Sequence, residues 1–296
     1  MVTLSREELQ RLAVCSDNKA VTKIEPSTQQ VCLSIAGVDP SGGAGIFADL
    51  KTFAAHRCYG TAVITSITHQ NTTGVFAAFA ETAQSVRGQF EAILDDIQVS
   101  SVKTGMLPTT EVIESVISVI KERALRNIVV DPVVRSTSGF DLIDDVALSA
   151  LVKGLFPLAD IVTPNLPEAE RISGFKIDSI ESLRSAADVM AGHGAKCVLI
   201  KGGHFGAGLI ERGSARDHLF VEGREMVIDG EFFETTATHG TGCTLSAAIA
   251  ARLALGSEIE DAVRGAKRYV SEAIRTAPML GNGHSPINHL IDPFSL

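Results

Sequence analysis

From residue 31 onward the chain alternates short apolar runs with longer amphipathic ones, and this alternation limits the folds open to it more than any other feature. Val31–Ala36, Thr61–Ile67, Val102–Thr104, Ile128–Asp131, Ile161–Thr163 and Lys196–Lys201 read as strands. Gly42–Ala55, Thr82–Asp95, Glu111–Ala124, Asp144–Leu155 and Ser179–Gly192 read as the helices between them, the last with a capping box from Asp178 to Glu181. Strands that alternate with helices build a parallel sheet covered on both faces. Residues 217–236 break the alternation and read as a hairpin or meander turning at Glu222-Gly223-Arg224. Two helices close the chain, Gly240–Leu255 and one opened by a capping signal at Ser257–Glu260. The expectation is one α/β domain over residues 31–296. Residues 1–30 read as an extension in which Ser5 and Glu8 could cap a short helix.

Composition narrows the function classes. The 296 residues carry a formal net charge of -9, which disfavours a general binder of nucleic acid or anionic membrane. Trp is absent and aromatics make up 5%, so exposed stacking platforms are not expected. No apolar run approaches the roughly 20 residues that span a bilayer, and the polar first residues lack a secretory h-region. Five cysteines, at 15, 32, 58, 197 and 243, include no CxxC pair and fit reduced thiols in a cytoplasmic protein. Eight scattered histidines show no zinc-binding pattern.

Gly and polar residues cluster in three places. Ala36–Gly45 follows the first strand, where open α/β sheets bind ligands, although it is no Walker A loop and could be only a tight turn. Asp49, just beyond it, could face a substrate or simply solvent. Asp160–Glu170 ends a strand and places Pro167 at a helix start, with Asn165 and Glu168 directed to the ligand side; oxygen ligands there suit Mg2+, though a plain helix cap explains the string as well. Thr238–Thr244 opens a long apolar helix with small residues, whose free N–H groups and positive dipole end form an anion site. Cys243 falls in the first turn, where a thiolate is favoured, and could take or position a hydroxyl proton. Lys201 ends a further strand, where it could be a point charge for ATP phosphates or simply a solvated strand end, while His204 orders its loop rather than doing chemistry.

These residues carry a family signature. Ile35–Ile46, Ala48–Lys51, Gln70–Thr72, Lys103–Met106, Asp131–Val133, Thr163–Glu168, Lys201–His204, His239–Thr244 and Gly281–Pro286 resemble, in order, the motifs of the hydroxymethylpyrimidine/phosphomethylpyrimidine kinases. The resemblance runs from about residue 31 to 290. It implies a ribokinase-like three-layer sandwich with a mostly parallel central sheet, and ATP-dependent phosphorylation of a hydroxymethylpyrimidine and then of its monophosphate for thiamine biosynthesis. It also implies roles. Gly37, Asp49, Gln70, Met106 and Val133 would hold the pyrimidine, with the Gln70 amide matching an aminopyrimidine edge. Gly240, Thr241, Gly242 and Cys243 would form the catalytic anion hole. Asn165, Lys201 and Thr241 would bind ATP, and Glu168 and Asp131 would serve Mg2+. Family members are often homodimers. Two departures from the pattern stand out. Phe47, where many members carry Gln, could change the packing and geometry of its loop. Thr68 and His69, where smaller apolar residues are usual, could narrow or polarise the pocket.

Two further readings stand beside this one. Pyridoxal kinases share the motif set and act on a similar hydroxymethyl-bearing ring. A non-catalytic pyrimidine sensor would be expected to lack an anion-hole Gly, the metal-side acid or the Cys, and none is missing here. A sugar kinase is disfavoured because a polyol needs several hydrogen-bonding side chains and because Cys243 stands where the wider superfamily usually carries Asp.

Overall fold

The structure, a computed structural model of the chain, describes residues 29–135, 139–202 and 215–296. The expected extension, with Ser5, Glu8 and Cys15, lies almost wholly outside these residues, as does His204. Nine strands among the described residues form one sheet in the order β3-β2-β1-β4-β5-β6-β7-β8-β9. The parallel body comprises β1 (Val31–Val38), β2 (Tyr59–Asn71), β4 (Ser101–Thr104), β5 (Ile128–Val130), β6 (Ile161–Val162) and β7 (Cys197–Ile200).

Successive residues of a strand point to opposite faces, and here each face meets its own core. Leu33, Ile35, Ile128, Val130, Val198 and Ile200 join one apolar cluster with α2 (Ala83–Leu94), α3 (Thr110–Glu122), α4 (Asp145–Leu155) and α6 (Ile180–Gly192). Cys32, Val129, Ile161, Cys197 and Leu199 join the other with α1 (Gly45–Ala55), α7 (Thr241–Ala254) and α8 (Ile259–Arg275). That division is the three-layer sandwich. The helices follow ordinary rules: in α3, Val112, Ile113, Val116, Val119 and Ile120 form one buried stripe behind a Thr109 cap. Helix α7 is buried on all sides from Thr244 to Ala251, between the sheet, α1 and α8.

Several local expectations are corrected. Helix α1 begins at Gly45 rather than Gly42, because the Asp39 carboxylate ties residues 41–44 into a turn. The cap of α6 is Ser179 with Ser182, not Asp178 with Glu181. Glu258 caps α8 without any side-chain bond, and Ser257 contributes none. The expected meander is a two-stranded hairpin, β8 (Asp217–Val221) and β9 (Arg224–Ile228); Glu222 and Gly223 both take positive φ, as a tight turn between twisted strands requires. An edge strand, β3 (Gly74–Ala80), is additional and pairs antiparallel with a longer β2 than expected. No helix among the described residues is long and apolar enough to cross a membrane.

Candidate active site

The chain builds outward from β1 in both directions, since β1 lies between β2 and β4. In open α/β sheets such a reversal leaves a crevice beyond the carboxyl ends of the strands. The expected residues stand along this edge. Gly37 lies one residue before the end of β1, Gln70 lies near the end of β2, and Met106 follows β4. Asp131 and Val133 follow β5, Asn165 and Glu168 follow β6, and Lys201 follows β7.

On the β2-β1-β4 side the surroundings suit a flat ring. A side chain at Gly37 would press within 2.9 Å of Ser66 Oγ and 3.2 Å of Met106 Sδ, so the absent Cβ keeps this wall low. Thr68 Oγ1 lies 2.9 Å from the Val38 carbonyl and 3.2 Å from the Gln70 amide, so this departure from the family pattern places a hydroxyl beside Gln70. His69 points away and packs on Phe79, and Phe47 is largely exposed. Asp49 has no exposed surface. It accepts from Lys103 Nζ at 2.8 Å and from Ser34 Oγ at 2.5 Å, while its Oδ1 has no partner. Burial raises the Asp49 carboxyl, and Lys103 opposes this.

At the β5-β6-β7 side the groups are charged and buried. Lys201 Nζ donates to Asp131 at 2.9 Å and lies 3.9 Å from Glu168. Asp131 also accepts from Thr163 and Ser246. Burial acting alone would raise Asp131, but the positive charges of Lys201 and Lys103 hold it below the usual carboxylate range. Glu168 moves the other way, to about 7, because burial and the neighbouring Asp131 charge outweigh Lys201. It is positioned by α5 (Leu166–Ser173): Asn165 caps the helix, accepting from the Glu168 N–H, and Glu168 accepts from the Asn165 N–H. Leu166 takes the first helical position and Pro167 the second. Among the described residues no three His, Cys, Asp or Glu side chains converge as a metal cage.

Between the two halves sits the start of α7. Gly240 caps it in the left-handed region at φ 81°, and a side chain there would strike the Gly43 carbonyl. The two glycine loops therefore touch. Gly242 faces the other half, since a side chain on it would lie 3.3 Å from Lys201 Nζ and 3.9 Å from Asp131 Oδ2. The expected thiolate at Cys243 is corrected. Burial pushes this thiol up to about 11, with Asp49 and Asp131 adding to the effect and Lys103 opposing it, so it is protonated near neutral pH. The helix dipole is too weak to offset that desolvation.

A second network centres on Asp39 and His239, residues to which the sequence motifs give no separate role. Asp39 accepts from the N–H groups of Ser41, Gly43 and Ala44, from the Ser41 hydroxyl, and from His239 Nε2 at 2.7 Å. Burial would raise its pKa, but the bonds from His239 and Ser41 hold it low. His239 Nε2 is also 3.3 Å from the Gln70 amide. The segment Gly281–Pro286 straps this region: His284 N–H donates to the Thr72 carbonyl, and His239 N–H to the Ser285 carbonyl. An Asp inside a glycine loop and a His just before a glycine-capped helix are the signals the sequence offers.

The chain matches known proteins along nearly its whole described length. The profile of the phosphomethylpyrimidine kinase family covers residues 39–288. A hydroxymethylpyrimidine/phosphomethylpyrimidine kinase of Haemophilus influenzae is 42% identical over 87% of this chain and 95% of its own. A thiamine biosynthesis bifunctional protein of Geobacter sulfurreducens is 45% identical over 88% of this chain, which spans 52% of that protein's length. Among solved structures, a Staphylococcus aureus pyridoxal kinase in complex with AMP-PCP and pyridoxal superposes with a TM-score of 0.81 at 32% identity, covering 90% of this chain and 95% of that one.

Proposed function

The chain belongs to the phosphomethylpyrimidine kinase family, and from that premise we propose that it transfers the γ-phosphoryl group of ATP to 4-amino-5-hydroxymethyl-2-methylpyrimidine and then to the monophosphate, making the diphosphate used in thiamine biosynthesis. The observation that carries this reading is the order of groups along one sheet edge. Gly37, Gln70 and Met106 stand on one side of the α7 N-terminus, and Asp131, Glu168 and Lys201 on the other. A ring in the first half and a polyphosphate in the second would meet at the amides of Gly240–Cys243.

Phosphoryl transfer of this kind rests on alignment and charge stabilisation. The hydroxymethyl oxygen attacks the γ-phosphorus as the bond to the β,γ-bridging oxygen breaks. Lys201 and the free N–H groups of α7 meet the charge spreading over the transferred group. Thr241 lies in the same first turn, and Asn165 holds the β6 loop beside Lys201. Cys243, a thiol at neutral pH, orients the attacking hydroxyl, whose proton passes to an oxygen of the transferred phosphoryl group as ADP leaves. Asp131 and Glu168 fit Mg2+, because their buried oxygens share one lysine and Glu168, lifted to about 7 by burial and the Asp131 charge, would ionise against a hydrated cation on the nucleotide. Bound there, Mg2+ would neutralise phosphate charge.

A second reading, pyridoxal phosphorylation, is favoured by the superposition on the pyridoxal kinase; the higher identity to the pyrimidine kinase ranks it below the first. Cytoplasmic location and a homodimeric assembly are proposed with the family. The deciding experiment measures ADP release with Mg-ATP and the pyrimidine alcohol, its monophosphate, pyridoxal or ribose. Turnover of both pyrimidines is the expected result. Turnover of pyridoxal alone would move the chain to vitamin B6 salvage, and no turnover of any would leave a sensor.

A further inference from the structure

The Gln70 amide is held at both ends. In the structure Gln70 Nε2 lies 3.3 Å from His239 Nε2 and Gln70 Oε1 accepts from Thr68 Oγ1 at 3.2 Å, but the surrounding groups call for this amide turned over. Which arm is oxygen and which nitrogen is decided by the partners, since an amide can be turned over without moving its shape. Asp39 settles the matter. Its carboxylate already accepts from Ser41, Gly43 and Ala44, and an ionised carboxylate only accepts. His239 Nε2, 2.7 Å from Asp39 Oδ2, must therefore carry a hydrogen. An amide N–H directed at that same nitrogen would set donor against donor. The Gln70 carbonyl thus faces the imidazole, and its NH2 group donates to Thr68 Oγ1. The Thr68 hydroxyl is then able to give its own hydrogen to the Val38 carbonyl at 2.9 Å, and every donor in the chain meets an acceptor. One N–H and one carbonyl lone pair of Gln70 remain for a ligand.

We propose that His239, oriented by Asp39, acts with Thr68 as a positioning residue that locks the Gln70 amide in one orientation and so selects a 4-amino over a 4-oxo pyrimidine. The inference rests on the functional reading above. A 4-aminopyrimidine presents a donor beside a ring-nitrogen acceptor; the 4-oxo analogue presents an acceptor beside a ring N–H. An amide free to turn over matches either edge. A locked one matches only one order and leaves buried groups opposed to the other. Nothing in the network requires His239 to touch the substrate.

The test compares kcat/KM for 4-amino-5-hydroxymethyl-2-methylpyrimidine and its 4-oxo analogue. The variants are H239A, H239Q, T68V and Q70A, and H239A is also made in the Q70A background. The unaltered protein should prefer the amino compound by about 10- to 100-fold or more. H239A should reduce that preference to within a few-fold. H239Q, which returns an N–H near the Nε2 position, should restore most of it. T68V, nearly isosteric, should loosen the other arm and lower the preference too, which keeps the test decisive if H239A folds poorly. With Gln70 removed, H239A should change the preference no further. Full preference in both H239A and T68V, or equal effects of H239A with and without Gln70, would overturn the inference alone. Absence of pyrimidine turnover by the unaltered protein would overturn the functional reading and this inference with it.

Discussion

At the scale of single residues, burial decides the chemistry of the site more than residue type does. Cys243 lies in the first turn of a helix, the setting that favours thiolates, yet burial pushes its thiol up to about 11. A positioning role follows, and C243A should lower kcat by less than about 100-fold, below the full range of general-base catalysis. Its kcat–pH profile between pH 6 and 9 should keep its shape; a larger loss with the profile reshaped would restore the base. Glu168 supplies a pH test. Its folded value near 7 exceeds the ordinary 4.5 of the open chain. Its protonated form therefore stabilises the fold fully below about pH 4.5, and that contribution is lost as pH rises through 7. His56 and His289, held near 4 by burial, contribute in the opposite sense, since each must be neutral to stay folded. The difference between the unaltered protein and E168Q isolates Glu168. In urea unfolding without nucleotide, the stability of E168Q relative to the unaltered protein should rise from pH 4.5 to 7. A flat difference would show that Glu168 does not titrate there.

At the scale of elements, the C-terminal strap organises the ring-binding half. A side chain at Gly283 would collide with the backbone of Thr72 and Thr73, and one at Gly281, which takes φ 76°, with the Thr72 side chain, so both positions favour glycine beside the β2–β3 turn. G283A should destabilise by about 1–3 kcal/mol, as unfavourable backbone contacts do. It should also raise KM for the pyrimidine, because Ser285 and Pro286 hold the His239 backbone. Measured unfolding together with KM checks this; a stability loss with KM unchanged would separate the strap from the site. The hairpin it clamps was hidden in the sequence. Gly74–Ala80 is rich in Ala and lies at the sheet edge, so neither strand propensity nor clean alternation marked it.

At the scale of the whole molecule, one ion pair lies among the layers with no exposed surface on either partner, Lys103 of β4 with Asp49 of α1. A buried pair adds little net stability, but removing one partner leaves a charge without compensation. K103M should cost about 3–5 kcal/mol in urea unfolding. D49N combined with K103M should recover much of that loss, because the second change removes the stranded charge. If the double variant is as unstable as K103M, packing rather than charge is the cause.

The amino-acid order by itself determined the strand–helix alternation, the parallel sheet, the glycine loops and the positions of Asp131, Glu168 and Lys201. Each depends on local periodicity or on a residue type that few other backbone settings need. Tertiary structure alone decided which groups face one another. Asp39 and His239 are 200 residues apart in the chain, and Lys103 and Asp49 are 54 apart. No local pattern encodes such pairs, nor the burial that keeps Cys243 protonated, because desolvation depends on every layer packed around a group. Residue chemistry is written in the sequence, whereas the dielectric and the partner that tune it are supplied by the fold.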